Sequence, residues 1–567
     1  MQIPCLIKAR TTKQLVVHGR PFLMLPAELQ NSSLTCAEYM DTVWQKVKDM
    51  NVNTLLGSVT WEMIEPTEGE FDFSELDKVI LGARKHGLHL VLLWFGSFKN
   101  GLSTYVPPWV KTNPKRFPRA KLRKAGGVLA AADVLSVFYS EGMDADVRAF
   151  GRLMAHLKEF DGEHSTVLMV QVENEVGLLG DSRDGCAAAN QQFTDAVPKD
   201  LVHFLEDEWD SLHPDLREVL RPGRGAEKPA YPEGNWEEVF GRGSRTDELF
   251  MAYYYATYVN EVAAAGKAVY PIPLYTNTWM NYAGDNNADT AFPVVAGGGG
   301  IPGDYPSGGP VANVLDVWQK FAPSLDFVSP DIYLNDYEGT CATYRHRNQP
   351  LFVPEQRRDG HGARRVWVAY GSYAALGASP FGIDTAGDPD ESAIAKHFGL
   401  LGSVSAVVLE AQRNPASSVG FCFDEPPPKR AGSVDTAQPV VRHWGDFEIA
   451  IEPSFAFGRR GDGAGMVVHL GGARFLLVGW GFQVRARSLS PRATFTGILR
   501  FEEKVVVDRD TGELRTRRRL NGDETRGGTL AMMPGEDPDY GGFPIAVTAP
   551  AGTMIAELEV YALEDDE

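Results

Sequence analysis

Two carboxylates end strand-like segments that are otherwise apolar. Residues 167–175 read VLMVQVENE and residues 351–355 read LFVPE, so Glu175 and Glu355 each close a run of core-type side chains. Buried strands exclude carboxylates unless these groups are paired or used. Two carboxyl groups that face one cleft can divide acid and base roles, because the charge of one raises the pKa of the other. The pair therefore predicts cleavage of a glycosidic bond, in which one group is protonated and the other is ionised.

The residues around these carboxylates leave alternatives open. A glutamate that follows a strand is often a helix N-terminal charge or an ion-pair partner, and two arginines directly after Glu355 would suit an ion pair. Glu175 is the stronger candidate, because a buried Asn174 beside it needs a dense polar network. Strand alternation places Glu173 on the face of Glu175 and Asn174 on the other face, so we expect a bulge or the strand end to redirect one of them. We interpret Glu173 as a supporting polar residue.

The elements that would position these residues alternate between strand-like and helical patterns from about residue 35 to residue 400. Eight strand candidates separated by amphipathic segments predict an α/β fold, the (β/α)8 TIM barrel, in which catalytic groups project from the C-terminal ends of the strands. The segment at about 181–246 is too long for a simple connection and is predicted to cross the barrel mouth. The strand candidates cover residues 21–29, 51–59, 88–95, 167–174, 271–277, 325–334, 350–355 and 378–384. The amphipathic segments include residues 37–50, 73–87, 144–160 and 248–269.

The character of the sequence changes after about residue 411. Short β-type runs follow one another there, and glycine, proline and Asp-Gly or Asn-Gly turns separate them. This pattern predicts a smaller antiparallel β-sandwich. The predicted domains are a catalytic barrel over residues 1–410, with the insertion at about 181–246, and an accessory β-sandwich over residues 411–567.

Composition and charge exclude several classes of partner. The chain of 567 residues is 43% hydrophobic and 23% charged, which suits a globular protein, and its net charge of −20 disfavours nucleic acid and anionic membranes. No run reaches the roughly 18 to 20 apolar residues that span a bilayer. The five cysteines never form a CxxC pair, and the N-terminal segment shows no signal sequence, so we expect free thiols and a cytoplasmic location. A secreted or periplasmic form without its leader, and a homo-oligomer, stay open.

Motifs for metals and cofactors are missing from the sequence. The 12 histidines include neither HExxH nor HxH, which disfavours a metal centre. The glycine-rich stretches at 296–303 and 458–465 do not lie between a strand and a helix, as a nucleotide-binding loop would, and are predicted to be loops. We therefore expect no metal and no cofactor, and an oligosaccharide or glycoside as the substrate.

Several segments resemble glycoside hydrolase family 35, the β-galactosidases of the retaining (β/α)8 clan. VQVENEVG at 170–177 is similar to the fourth-strand signature of that family. NVNTLLGSVTWEMIEPTEGEFDFSELDKVI at 51–80 is similar to its second-strand block, and residues 88–101 and 105–112 occupy the place of its third-strand segment. The resemblance covers roughly residues 19–384.

The sequence departs from the family pattern in two places. Val176 follows the ENE motif, where animal, plant and fungal members usually have a tyrosine. The first-strand motif reads Ala27-Glu28-Leu29-Gln30, where those members have Gly-Glu-Ile-His. These differences indicate a divergent bacterial-type subgroup and weaken the assignment of galactose as the sugar.

The resemblance implies roles for five residues. Glu175 would be the general acid/base, and Asn174 would hold the sugar 2-hydroxyl. Glu355 would be the nucleophile that forms a covalent glycosyl-enzyme. Tyr333 would donate a hydrogen bond to the nucleophile, although a barrel-layer aromatic is an equal alternative. Glu28 would bind substrate in the −1 subsite, although a structural ion pair is also open.

Aromatic residues near the strand ends are candidates for stacking on sugar rings. Because most tryptophans belong to cores or walls, we expect about a third of the candidates to touch ligand. Asn277, after the fifth strand, is expected to add a hydroxyl contact. The aromatic candidates are Trp61, Trp94, Tyr105, Trp109, Tyr275 and Trp279.

These features predict a retaining exo-β-galactosidase that acts on oligosaccharides or plant-polysaccharide side chains. One alternative is another exo-glycosidase of the same clan, specific for β-fucosides, α-L-arabinosides or β-xylosides. A second alternative is a carbohydrate-binding barrel that has lost its activity. The presence of both Glu175 and Glu355 argues against this last interpretation.

Overall fold

The structure is a computed structural model that describes residues 3–564 with internal gaps. Parts of the two glycine-rich stretches, residues 296, 297, 458 and 461, lie outside the described residues. Within residues 3–564, the structure also does not describe residues 11, 103, 221–227, 282–295, 335, 424–437, 457, 521, 534 and 536–551.

The helices and strands alternate up to about residue 380, and strands predominate after residue 418. The helices are α1 (Ala37–Asp41), α2 (Trp44–Asp49), α3 (Trp61–Ile64), α4 (Ser74–Lys85), α5 (Pro108–Lys111), α6 (Ser140–Asp161), α7 (Ala187–Thr194), α8 (Lys199–Asp207), α9 (Pro214–Leu220), α10 (Trp236–Phe240), α11 (Ser244–Val269), α12 (Leu315–Phe321), α13 (Tyr337–Thr343), α14 (Gly360–Tyr373), α15 (Ala393–Ser403) and α16 (Ser405–Arg413). The strands before residue 381 are β1 (Cys5–Ala9), β2 (Thr12–Val17), β3 (Arg20–Pro21), β4 (Pro26–Glu28), β5 (Thr54–Thr60), β6 (His89–Lys99), β7 (Arg119–Lys124), β8 (Val128–Leu135), β9 (Val167–Asn174), β10 (Leu274–Trp279), β11 (Phe327–Asp331), β12 (Val353–Gln356) and β13 (Ala378–Pro380).

Eight parallel strands follow one another in the predicted order. In one six-stranded sheet, β4, β5, β6, β9, β10 and β11 lie side by side in this order, and each pair of neighbours is parallel. A two-stranded parallel sheet contains β12 and β13, and a parallel bridge between Ile332 and Gln356 joins β12 to the end of β11. All eight predicted strands are therefore present, and the six strands of the larger sheet form a half-barrel.

The inner face of these strands holds an apolar cluster that is separate from the outer core. Leu15 and Val17 of β2 belong to it, so the N-terminal antiparallel sheet of β1, β2 and β3 covers one end of the half-barrel. Most of its other members lie in the first halves of the parallel strands, which leaves the opposite, C-terminal end to polar residues. The cluster consists of Leu15, Val17, Met24, Leu56, Val91, Leu93, Phe95, Leu168, Met169, Tyr275, Phe327, Phe352 and Leu376.

Helices cover the outer face of the sheet. In α6, a buried stripe recurs every three to four residues, as an amphipathic helix requires, and its final residue Asp161 accepts the N–H of Val167 at 2.7 Å, which ties the helix to the start of β9. The helix predicted at 144–160 is thus confirmed. The helix predicted at 37–50 is divided into α1 and α2, where the adjacent β-branched Thr42 and Val43 have low helix propensity.

A hairpin and the long insertion lie after the third and fourth parallel strands. The hairpin of β7 and β8 is absent from the sequence prediction, because its strands carry lysine and arginine rather than a clear apolar face. The described parts of the insertion contain α7, α8, α9 and α10. Arg123 of β7 binds Asp181 at 2.7 Å and Asp247 at 2.9 Å. These ion pairs connect the hairpin to both ends of the insertion.

The C-terminal region is antiparallel β structure, as the turn pattern predicts. Its six-stranded sheet has the order β14, β19, β20, β25, β22, β23, and its four-stranded sheet has the order β15, β16, β21, β24. One apolar cluster contains side chains from both sheets, among them Phe421 and Ile449. The strands are β14 (Ser418–Phe423), β15 (Val440–Trp444), β16 (Phe447–Pro453), β17 (Phe455–Ala456), β18 (Arg459–Arg460), β19 (Gly463–Gly471), β20 (Arg474–Trp480), β21 (Phe482–Ser488), β22 (Ala493–Asp508), β23 (Glu513–Arg519), β24 (Ala531–Met533) and β25 (Ile555–Glu564).

Two glycines allow this region to pack closely on the half-barrel. A Cβ atom on Gly420 of β14 would lie 1.7 Å from the carbonyl oxygen of Trp367, and one on Gly371 would lie 2.7 Å from the backbone of Gly420. Only glycine permits such an approach of α14 to β14. The two parts of the chain therefore share a tight backbone contact.

Within the described part of the chain, no single helix has the length and apolar character needed to cross a membrane. The helices α15 and α16 meet that criterion only when they are taken together, and they are bent by 71° relative to each other.

Candidate active site

Four buried carboxyl groups lie at the C-terminal ends of the parallel strands. Glu28 ends β4, Glu175 directly follows β9, Asp331 ends β11 and Glu355 lies in β12. One carboxylate oxygen of each of Glu175, Asp331 and Glu355 lies within 4.8 Å of those of the other two. The exposed fractions of the four residues lie between 1% and 8%. We call these four residues the mouth cluster.

The backbone redirects the end of β9. Glu173 and Glu175 have φ angles of 61° and 45°, in the left-handed region that residues other than glycine seldom adopt. On the neighbouring strand β6 the ladder to β9 passes from Trp94 directly to Lys99, so β6 contains a bulge opposite this point. The expected bulge is present. The prediction that Glu173 and Glu175 share a face is wrong, because the left-handed residues interrupt strand alternation.

The carboxyl group of Glu173 is bound to the barrel wall. Its oxygens accept the N–H groups of Ser97 at 3.1 Å and Phe98 at 2.8 Å. Its neighbour Asp146 accepts the indole N–H of Trp94 at 2.9 Å. Burial, and then the charge of Asp146, raise the pKa of Glu173 well above its ordinary value. Glu173 is therefore a hydrogen-bonded part of the wall, which explains why a second carboxylate stands in the ENE motif.

Two asparagines connect the ends of three strands. The side-chain oxygen of Asn277 accepts the N–H of Glu175 at 2.8 Å, and its Nδ2 donates to Asp331 Oδ2 at 2.8 Å. Asn277 Nδ2 also donates to Asn174 Oδ1 at 3.3 Å, and Gln171 Nε2 donates to the same oxygen at 2.9 Å. The predicted site residues Asn174 and Asn277 therefore lie beside Glu175, whose backbone N–H is held by Asn277.

Glu355 is oriented by the segment between β11 and β12. The hydroxyl of Tyr333 donates to Glu355 Oε2 at 2.8 Å, and the N–H of Ile332 donates to the Glu355 carbonyl at 2.8 Å. Burial and the charge of Glu355 raise the pKa of Tyr333 well above its ordinary value, so the phenol stays a donor. Tyr333 thus has the contact that the resemblance implies.

The arginines that follow Glu355 have other partners. Arg357 forms an ion pair with Asp359, and Arg358 donates to the carbonyl of Gly382 and to Thr385 at 2.8 Å. The alternative that Glu355 is an ion-pair partner of these arginines is not supported.

Glu175 has the environment of a proton donor. Burial, followed by the charge of Glu355, raises the pKa of Glu175 to about 7. The charge of Lys99 and a hydrogen bond with Asp331 partly offset this rise. A carboxyl group with a pKa near the working pH is suited to general acid catalysis.

Several oxygens of the mouth cluster have no hydrogen-bond partner among the described residues. Both carboxylate oxygens of Glu28 and Oδ1 of Asp331 are buried in this state, and so is the hydroxyl of Tyr275, which lies outside the cluster. Burial, and then the charge of Glu355, raise the pKa of Glu28 well above its ordinary value. Buried polar atoms are almost always satisfied, so the two oxygens of Glu28 are suited to accept hydrogen bonds from the hydroxyl groups of a ligand. For Glu28 this supports substrate binding over a structural ion pair.

Lys99 is a site residue that the sequence analysis missed. It is 5% exposed, its Nζ lies 4.8 Å above the ring centroid of Phe95, and its charge lowers the pKa values of Glu28 and Glu175. Lys99 stands near the end of the apolar run LHLVLLWFGSFKNG, and a cation at the end of such a strand could have identified it as a site residue.

Trp61 and Trp94 do not belong to the site. Both are fully buried in the outer core. The indole N–H of Trp61 donates to Glu65 at 2.7 Å, as that of Trp94 does to Asp146. Trp109 packs edge-on against Trp61 at 5.9 Å. The predicted ring stacking fails for these three residues, because their indoles serve the helix-covered face of the sheet.

The remaining aromatic candidates lie on the inner side. Tyr105 is half-buried and its ring centroid lies 5.2 Å from that of Phe95, above the inner apolar cluster. Trp279 is half-buried at the end of β10, where it pairs in register with Asp331. Trp279 therefore adjoins the mouth cluster, Tyr105 packs on the inner apolar cluster, and both remain candidates for sugar contacts.

Comparisons with known proteins match two parts of the chain. Residues 34–213 match a protein-family model described as Beta-galactosidase, glycoside hydrolase family 42. Residues 394–532 match a domain of unknown function, DUF5597. A curated β-galactosidase from Xanthomonas manihotis is 25% identical over 230 residues, which are 38% of this chain and 35% of that protein. The chain thus spans about a third of this relative. These matches support a glycoside hydrolase related to β-galactosidases, and they name family 42 rather than family 35.

Solved structures resemble the chain weakly. A β-galactosidase from Rahnella sp. R3 is 15% identical with a TM-score of 0.43, and covers 71% of this chain and 58% of its own. A β-galactosidase from Bacillus circulans sp. alkalophilus is 14% identical with a TM-score of 0.44, and covers 68% and 57%. The catalytic domain of a β-amylase from Paenibacillus polymyxa is 12% identical with a TM-score of 0.44, and covers 65% and 94%. The support for a glycoside hydrolase comes from the sequence matches.

Proposed function

We propose that this chain is a retaining exo-β-galactosidase that hydrolyses terminal β-D-galactosyl residues of oligosaccharides or plant-polysaccharide side chains. The observation that carries the proposal is the spacing of Glu175 and Glu355, whose nearest carboxylate oxygens lie within 4.8 Å. Retaining glycosidases hold their two carboxyl groups about 5 to 5.5 Å apart, whereas inverting ones need roughly 6.5 to 9.5 Å. The short distance supports a covalent intermediate.

The environments of the two carboxyl groups support their division of labour. Glu355, oriented by Tyr333, attacks the anomeric carbon and forms the glycosyl-enzyme. Glu175, protonated up to a pH of about 7, gives its proton to the leaving oxygen. In the second step Glu175 removes a proton from water, which attacks the same carbon and releases Glu355.

The unsatisfied acceptors around this pair suit a sugar in the −1 subsite. Glu28 offers two buried oxygens to sugar hydroxyls, and the adjacent Lys99 supplies a buried cation. Tyr105 and Trp279 offer aromatic faces beside them. The choice of galactose is supported by the matched β-galactosidase family and relative, and the exo mode follows from the resemblance to family 35.

The finer points of fold and family belong to the same proposal. We infer a closed (β/α)8 barrel in which β13 adjoins β4, since a Cβ on Gly377, just before β13, would lie 2.7 Å from Pro26 of β4. We also infer an accessory β-sandwich after about residue 411, since both antiparallel sheets contribute to one core. The motif VQVENEVG favours a divergent bacterial-type branch near family 35, whereas the matched family model is that of family 42.

A panel of nitrophenyl glycosides tests this proposal. We expect the β-galactoside to have the highest kcat/KM among the β-galactoside, β-fucoside, α-L-arabinoside and β-xyloside, and NMR of the first-formed sugar to show retained configuration. If the galactoside is the poorest substrate, the enzyme is another exo-glycosidase. If the wild type shows no turnover and Glu355→Gln binds sugar as tightly as the wild type, the barrel is a binding protein.

A further inference from the structure

We propose that Asp331 is a positioning residue that carries its own proton, donates a hydrogen bond to Glu175 and stabilises the carboxylate that Glu175 becomes after it protonates the leaving group. The inference rests on the proposed function, and it gives a role to the third carboxyl group of the mouth cluster.

The position of Asp331 supports a donor. Its Oδ2 accepts the Nδ2 of Asn277 at 2.8 Å, and Asn277 in turn accepts the backbone N–H of Glu175. One of its carboxyl oxygens lies within 4.8 Å of an oxygen of Glu175. Its Oδ1 is buried without a hydrogen-bond donor among the described residues. A carboxylate can only accept hydrogen bonds, whereas a protonated carboxyl can donate one to Glu175.

The surrounding charges keep the proton on Asp331. Burial, and then the charges of Glu355, Glu175 and Glu28, raise the pKa of Asp331 well above its ordinary value. The hydrogen bond between the two carboxyl groups raises the pKa of Asp331 and lowers that of Glu175. Both directions are those expected when the shared proton stays on Asp331.

Titratable groups from every neighbouring strand face this pair. Lys99 is a cation among them, and its charge acts on Glu175 and Glu28. The tyrosines near Asp331 have pKa values raised first of all by burial, and they stay neutral. The groups are Glu28 from β4, Lys99 from β6, Glu175 from β9, Tyr275 from β10, Glu355 from β12, and Tyr333 and Tyr344 from the segment between β11 and β12.

The proton balance of the reaction shows what Asp331 adds. In the first step the proton of Glu175 moves to the glycosidic oxygen, the bond from that oxygen to the anomeric carbon breaks as Glu355 bonds to the same carbon, and Glu175 becomes a carboxylate. Asp331 keeps its proton and donates to that carboxylate, and a hydrogen bond to an ionised acceptor is stronger than one to a neutral acceptor. In the second step Glu175 recovers a proton from water. Asp331 therefore favours proton release without transferring a proton itself.

Two variants of the full-length chain separate a neutral donor from a charge. In Asp331→Asn, the amide can donate to Glu175 and accept from Asn277, so we expect kcat within about threefold of wild type and an unchanged alkaline limb of the pH profile. In Asp331→Ala, the donor is lost, and we expect kcat to fall by about 10 to 100-fold and the alkaline limb to move up by about one to two pH units. Ser329→Ala, on the same strand and without a carboxyl group, is the matched control.

The outcomes of this comparison decide the inference. If Asp331→Asn moves the alkaline limb down by about one unit, Asp331 is ionised in the wild type and the inference is wrong. If both Asp331 variants leave kcat and the pH profile unchanged, Asp331 only packs. If the wild type hydrolyses no glycoside, the proposed function fails first.

An infrared measurement tests the proton without turnover. At neutral pH, the difference spectrum between wild type and Asp331→Asn should contain the C=O stretch of a protonated carboxyl. A carboxylate band in its place contradicts the inference even when Asp331→Ala fails to fold.

Discussion

Two buried acidic clusters lie on either side of the end of β9, and they differ in how their oxygens are satisfied. In the wall cluster, formed by Glu173 and Asp146, each of the four carboxylate oxygens accepts a hydrogen bond. In the mouth cluster, both oxygens of Glu28 and one of Asp331 have no donor among the described residues. The donors to the wall cluster are the backbone of Ser97 and Phe98 and the side chains of Trp94, Ser97 and Tyr258.

This difference separates structure from function better than burial or charge does. The carboxyls of Glu173 and Glu175 are both buried, and their pKa values are both raised. A satisfied cluster completes the fold, whereas unsatisfied buried acceptors carry a desolvation cost that a ligand can offset. Variants of the two clusters test whether the wall cluster serves the fold and the mouth cluster serves function.

The largest expected difference is in turnover. We expect Glu355→Gln and Glu175→Gln to lower kcat on an aryl galactoside by about 10³-fold or more, because each removes a group that acts only in the transition state. Glu173→Gln, in the wall cluster, should keep kcat within about tenfold of wild type at temperatures where it is folded. Loss of turnover in Glu173→Gln equal to that in Glu175→Gln would abolish the distinction.

The second difference is in folding stability. Glu173→Ala removes the acceptor of two buried backbone N–H groups, so we expect the free energy of unfolding to fall by about 2 to 4 kcal/mol in urea titrations. Glu173→Gln keeps one acceptor and should lose less. Glu28→Gln, in the mouth cluster, removes no acceptor from a described donor, so we expect it to destabilise the protein less than Glu173→Ala does. A wall variant as stable as wild type would contradict the account.

The third difference is in the pH dependence of stability. The pKa of Glu175 is raised from 4.5 to about 7, so the folded state binds this proton more tightly than the unfolded state. The resulting stability is complete below about pH 4.5 and is lost as the pH rises through about 7. The glutamine in Glu175→Gln does not titrate. We therefore expect the difference in free energy of unfolding between Glu175→Gln and wild type to shift in favour of the variant by up to about 3 kcal/mol between pH 4.5 and pH 8.

The exposed Glu159→Gln on α6 provides the control for this measurement. Its stability curve should run parallel to that of wild type between the two pH values. Parallel curves for Glu175→Gln and wild type would show that Glu175 titrates normally.

The smallest expected effect is that of a chelator. Asp331 and Glu175 have raised pKa values, and Asn277 and Tyr333 already donate to oxygens of the mouth cluster. Protonated and hydrogen-bonded carboxyls are poor partners for a divalent cation. We therefore expect kcat after treatment with EDTA to stay within about twofold of the untreated enzyme. A loss of activity that added Mg²⁺ or Ca²⁺ restores would contradict this account.

The sequence is sufficient to predict the eight parallel strands and the ends at which Glu175 and Glu355 stand, because apolar periodicity records which segments are buried. It does not predict which strand carries the bulge or that Glu173 and Glu175 adopt left-handed backbone conformations, because both depend on pairing between strands distant in sequence. For this reason the orientation of Glu173 is predicted wrongly.

The directions of the aromatic side chains are also not predicted from the sequence. Trp61 directly follows β5 and Trp94 directly precedes the bulge in β6, yet the indoles of both turn to the outer core. The charge of Lys99 lowers the pKa of Glu28 in the mouth cluster, yet in the sequence Lys99 is only a cation after an apolar run. Side-chain direction at a bulge cannot be derived from residue type.

The most direct test of the account is to trap the glycosyl-enzyme. An aryl 2-deoxy-2-fluoro-β-galactoside with a good leaving group should inactivate the enzyme with release of one equivalent of the phenol, and peptide mass spectrometry should find the fluorosugar on Glu355. A label on any other carboxylate, or steady hydrolysis with inverted configuration and no label, would contradict the assignment of Glu355 as nucleophile and Glu175 as acid/base.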